Sequence, residues 1–64
     1  MAGKRFDVIA NGPTVLSSHD LAKEAAEAAK AAAIEKETLV EVWDHELQRT
    51  IFRARRGEWR WITR

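Results

Sequence analysis

The residues with the most chemical potential are two histidines, two serines and a cluster of arginines and tryptophans. His45 stands between Asp44 and Glu46, and His19 stands between Ser18 and Asp20. A carboxylate-flanked imidazole can hold a metal or act as a base. At His45, however, neighbouring strand residues point in opposite directions, and the sequence supplies no third ligand beside it. Ser17 and Ser18 are explained as helix-cap residues rather than nucleophiles. Gly12-Pro13-Thr14 precedes a helix start, where backbone N–H groups can receive an anion. It lacks the glycine spacing and the lysine of a phosphate loop. No catalytic residue, metal ligand or cofactor site is therefore expected.

The arginines and tryptophans carry more information. Residues 1–47 hold five Lys/Arg against nine Asp/Glu, a balance of −4. Residues 48–64 hold six arginines against the single Glu58, a balance of +5, so the net +1 conceals a strong asymmetry. Every basic residue of that tail is an arginine: Arg49, Arg53, Arg55, Arg56, Arg60 and Arg64. A guanidinium offers a planar fork of donors to carboxylates or phosphates and stacks on aromatic rings. The plainer account of these arginines is a solvated sheet face that maintains solubility.

Those side chains must be positioned by a small scaffold. Sixty-four residues form one domain, 1–64, and a chain of this size buries only roughly 60% of its unfolded surface. An elaborate enzyme with its own substrate pocket is thereby nearly excluded. The absence of cysteine removes disulfides and thiolate ligands and suits a cytoplasmic setting. No apolar run approaches the ~18 residues of a membrane span, and Met1-Ala2-Gly3-Lys4-Arg5 is too polar for a secretion signal.

Arg5–Ala10 reads as a strand with Phe6 and Val8 on one face, and Asn11-Gly12-Pro13 as a turn. Thr14-Val15-Leu16 either returns as a short strand or crosses to the helix. Ser17 with Asp20 has the spacing of a capping box, and Leu16 with Leu21 that of a hydrophobic staple. A helix is thus expected from Ser17 to about Ala33, with Leu21, Ala25, Ala28, Ala29 and Ala32 on its apolar stripe.

Three further strands follow. Thr38–Asp44 places Val40 and Val42 on one face, with Leu39, Glu41 and Trp43 on the other. Arg49–Arg55 places Thr50, Phe52 and Ala54 inward, with Arg49, Ile51, Arg53 and Arg55 outward. Glu58–Thr63 closes the chain after Arg56-Gly57. Short connections require antiparallel neighbours. The expected fold is α+β: a small antiparallel sheet of three to five strands under one Ala-rich helix, in the order β-(β)-α-β-β-β.

Trp59 and Trp61 share a face of the last strand. The leading reading turns both inward against the alanine stripe, leaving Trp43 as the exposed aromatic. In the reversed register they join the arginine face. Either way the outer surface combines arginine with tryptophan, residue types enriched at binding hot spots. The partner-binding set is Trp43, Arg49, Arg53, Arg55, Arg56 and Arg60.

The Ser-capped Ala-rich helix, the strand pair Leu39–Asp44 and Arg49–Arg55, and the closing Gly57-Glu58-Trp59-Arg60-Trp61 resemble small phage-encoded anti-CRISPR proteins of type I systems. The resemblance is architectural and covers most of the chain. It implies a non-enzymatic inhibitor that binds a CRISPR surveillance complex in the host cytoplasm and blocks target DNA binding or nuclease recruitment. Many such inhibitors are acidic DNA mimics, and the basic tail departs from that pattern. Glu24, Glu27, Glu35 and Glu37 could meet lysines of a DNA-binding groove, but the preferred route docks the Arg/Trp face on a protein surface. The alternative function is direct nucleic-acid binding through the same face, by phosphate contacts and base stacking. A third reading is a homo-oligomer formed through an exposed sheet edge, so the expected state is a monomer or weak dimer.

Overall fold

A computed structural model describes residues 4–62. These form an α+β fold of five strands and one helix: β1 (Phe6–Ala10), β2 (Thr14–His19), α1 (Ala22–Lys36), β3 (Val40–Asp44), β4 (Arg49–Arg55) and β5 (Glu58–Trp61). All pairings are antiparallel, in the spatial order β2-β1-β3-β4-β5. Thr63 and Arg64, which complete the expected last strand and the arginine run, lie outside the described residues.

Period-two patterning dictates the core. Phe6, Val8 and Ala10 of β1, Val40 and Val42 of β3, and Phe52 and Ala54 of β4 are buried on one face. The helix meets them through Ala25, Ala26, Ala29 and Ala33. Alanine is the strongest helix former, and its small side chain lets α1 lie close to the sheet while the valines and Phe52 fill the volume. Glu24 in the first turn and Lys36 in the last complement the helix dipole.

The helix starts later than the capping-box spacing predicts. Ser17, Ser18 and His19 belong to β2, where Ser17 pairs with Val8, Ser18 with Asp7 and His19 with Phe6. Serine serves a strand edge as readily as a cap, and here β1 supplies a ladder of unpaired backbone groups beside it. Leu21 occupies the N-cap position with extended backbone and no side-chain cap bond. The far end runs past Ala33 to Lys36 and closes at Glu37 in the left-handed region (φ 53°, ψ 46°). Ile34 therefore lies inside α1 on its solvent side, where it is exposed.

Two bulges correct the strand registers. One lies opposite Val8/Ile9 and leaves Leu16 of β2 unpaired, packed against the core. The other lies opposite Val42/Trp43, so that Ile51 is the extra residue of β4 and packs against the core instead of facing outward. In consequence Thr50 lies across from Trp43 on the outer face, and Arg49 lies across from Asp44 on the helix face. Both positions are the reverse of strict alternation from Phe52.

Candidate functional site

The face of the sheet opposite α1 has no covering layer among the described residues. Cross-strand pairing assembles it in rows. Ser18, Asp7, Trp43 and Thr50 form one row; Val15, Ile9, Glu41, Arg53 and Arg60 form the next. Arg55 and Glu58 pair at the far end, with Leu39 just before β3 on the same parity. Two shallow depressions lie along this face. One, of about 470 Å³, is lined by Leu39, Arg53, Arg55, Glu58 and Arg60, with Ala54 and Trp59 of the opposite parity also reaching it. The other, of about 380 Å³, includes Ile9, Pro13, Leu39 and Glu41, so the two meet at Leu39.

The structure thus gathers Trp43, Arg53, Arg55 and Arg60 on one surface and separates the other two expected residues from it. Arg49 turns to the helix face and donates from Nη2 to the Ile62 carbonyl at 3.3 Å. Arg56 sits in the β4–β5 turn, 3.5 Å from Glu37. Arg53 donates from Nε to Glu41 Oε2 at 2.7 Å, which fixes its guanidinium across the β3–β4 pair. Arg55 and Arg60 have no ion-pair partner among the described residues. Trp43 is half-buried between its neighbours rather than fully exposed.

Trp59 and Trp61 take the inward parity, opposite Ala54 and Phe52. They nevertheless remain 52% and 50% exposed, because α1 lies across β1, β3 and β4, and β5 extends past its flank. Trp61 sets its edge against Phe52 with ring centroids 4.8 Å apart, and Lys30 Nζ lies 4.6 Å from the Trp59 centroid. They therefore form a second aromatic surface at the sheet edge, not a core.

The histidines and serines form two clusters that sequence reasoning missed. Asp7 accepts from Ser18 Oγ at 2.6 Å and from His45 Nε2 at 2.7 Å. The Ser18 bond chiefly, and the imidazole secondarily, hold the Asp7 carboxyl below its ordinary range against the opposing effect of burial. In a relay that activates a serine, the imidazole stands between the carboxylate and the hydroxyl. Here the carboxylate is central, so the bonds tie β2 to the β3–β4 turn. Ser17 Oγ and His19 Nε2 lie 2.9 Å apart on the other face of β2.

Asp44 is 1% exposed and anchors the end of the sheet. Arg5 donates to it from Nε and Nη2, both at 2.9 Å, and the Glu46 and Leu47 backbone N–H groups add bonds of 2.8 and 3.2 Å. The bidentate guanidinium first, then these N–H groups, lower the Asp44 pKa against desolvation. This carboxylate shapes the turn that carries His45. Only the register brings residues 39 positions apart together, so no local spacing signals the pair.

No group of three or more His, Cys, Asp or Glu among the described residues is arranged to hold a metal ion. Among them, no helix is long and apolar enough to cross a membrane. Comparison with known protein families, with curated proteins and with solved structures finds no match.

Proposed function

We propose that this chain is a non-enzymatic interaction module that docks the open sheet face on a protein partner and acts by steric occlusion. The observation that carries this reading is the uncovered face itself: half-buried Trp43, the Leu39 and Ile9 depressions, and three arginines on a rigid scaffold. The paired strands hold the backbone, and Glu41 already holds Arg53, so ordering those parts costs little on binding. Trp43 supplies an aromatic anchor, and Arg55 and Arg60 supply forks for partner carboxylates.

The face carries Asp7, Glu41 and Glu58 beside Arg53, Arg55 and Arg60, so its formal charges cancel. A polyanion would meet three carboxylates there, whereas a mixed protein surface can match both signs. This supports a protein partner over direct nucleic-acid binding. With the architectural resemblance, it supports an inhibitor of anti-CRISPR type whose target is a CRISPR surveillance complex.

The test is capture of partners from host lysate with tagged protein, with and without nuclease. A discrete protein complex retained under both conditions is expected. Arg55→Glu, which keeps the fold by circular dichroism, should reduce that capture at least tenfold (about 1.4 kcal/mol or more). Recovery of nucleic acid alone, lost after nuclease, would overturn the reading.

A further inference from the structure

The two sheet edges differ in how they are finished. β2 carries a bulge and a polar Ser17-Ser18-His19 run bonded to its neighbours. β5 is regular, and its four residues are all exposed. The Ile62 N–H bonds to the Ile51 carbonyl, and alternation then points the Glu58 and Arg60 backbone groups toward β4. Trp59 and Trp61 thus direct their N–H and C=O groups to an edge that no strand among the described residues covers, a template for another strand.

We infer that the occupant of this edge is a second copy of the chain, paired antiparallel through β5 about a two-fold axis at Trp59. Three features select that register. Trp59 exchanges both of its backbone bonds with its copy, and the two indoles meet on the helix face. Glu58 lies across from Arg60 of the other copy, and by symmetry the pair occurs twice, on the outer face. Trp61 lies across from Gly57 of the other copy, where a side chain built on Gly57 meets nothing within 4 Å. That open space beside glycine is what an aromatic neighbour fills.

A register with the axis at Arg60 sets Arg60 against Arg60, a like-charge pair, and moves Trp61 away from Gly57. The selected pairing joins two five-stranded sheets and makes their open faces continuous. The pairing engages Arg60 with Glu58 of the other copy and leaves Trp43, Arg53 and Arg55 of the open face to a different partner.

Sedimentation equilibrium from about 10 µM to about 1 mM tests the pairing. The expected mass rises toward twice the 7.3 kDa chain. Arg60→Glu sets Glu against Glu58 across the dimer while facing Arg53 within its own chain, so the fold is retained and dimerisation weakens about tenfold. The triple variant Arg55→Glu/Glu58→Arg/Arg60→Glu restores the complementary pair across the dimer, keeps opposite charges at positions 55 and 58 within the chain, and should recover the wild-type constant. A wild-type monomer throughout this range overturns the proposal, as does an Arg60→Glu dimer of unchanged strength. Failure of the triple variant to recover, with its fold intact by circular dichroism, overturns the register. A dimer abolished by Trp43→Ala but untouched by Arg60→Glu would place self-contact on the open face and also overturn it.

Discussion

The two faces of the sheet are built from the same strands and obey opposite rules. On the helix face, Phe6, Val8, Val40, Val42, Phe52 and Ala54 are buried, and four alanines of α1 close over them. On the open face, adjacent positions of the same strands carry Asp7, Ile9, Glu41, Trp43, Arg53 and Arg55, with Arg53 bonded laterally to Glu41. The difference teaches where stability and recognition reside in so small a domain. Apolar burial stabilises in proportion to area removed from water, and only one face can be fully covered by one 15-residue helix. The other face is left to solvent or to a partner.

The comparison breaks hardest at Phe52, the largest fully buried side chain. Phe52→Ala should cost about 3–5 kcal/mol, from lost transfer energy and the cavity left under α1. Trp61 would also lose its edge contact. Chemical denaturation checks this: a midpoint close to wild type would show that the core collapses to fill the site.

A smaller effect separates the ion pair of the buried Asp44 carboxylate from pairs exposed at both ends. Asp44→Asn weakens the bonds that this buried carboxylate accepts from Arg5 and from the Glu46 and Leu47 N–H groups, and should destabilise by about 1–3 kcal/mol. The sign of its pH dependence follows from the lowered folded-state pKa values of Asp44 and Asp7. Their contribution is fully present above the unfolded value near ~4 and is lost as pH falls through the lower folded values. Thermal unfolding from neutral to acidic pH should therefore show a steep loss below about pH 4 in the wild type, reduced in Asp44→Asn. Equal acid sensitivity in both proteins would assign the loss to other carboxylates.

The smallest effect sharpens the contrast from the open side. Arg53 and Glu41 form a short bond, but their side chains are 55% and 32% exposed. Arg53→Gln should change stability by less than about 1 kcal/mol, as solvent-screened pairs do. A loss as large as that of Asp44→Asn would mean that the open face contributes to folding, against the division drawn between the two faces.

Much of this division was legible in the chain. Alternation in Arg5–Ala10 and Thr38–Asp44 predicted which residues point to the core, and the alanine stripe predicted one helix on one face. Short connections predicted antiparallel neighbours and the order of elements. What could not be read locally was the competition for Ser17: its capping-box spacing is real, yet the backbone beside it pairs with Val8. The two bulges were equally hidden, because an extra residue in a strand carries no signature in composition. They moved Arg49 off the arginine face and set Thr50 beneath Trp43.

The sequence by itself determined one helix, the strands β1, β3, β4 and β5, the core alternation of β1 and β3, and the concentration of arginine and tryptophan near one end. Those are local quantities, set by period, propensity and charge. Tertiary structure alone decided that Arg5 meets Asp44, that Asp7 lies between Ser18 and His45, and that β5 overhangs the helix with its tryptophans half exposed. Each of these depends on strand register and on where a helix of finite width lies across a wider sheet. Register is a property of pairs of strands, and a single strand does not contain it.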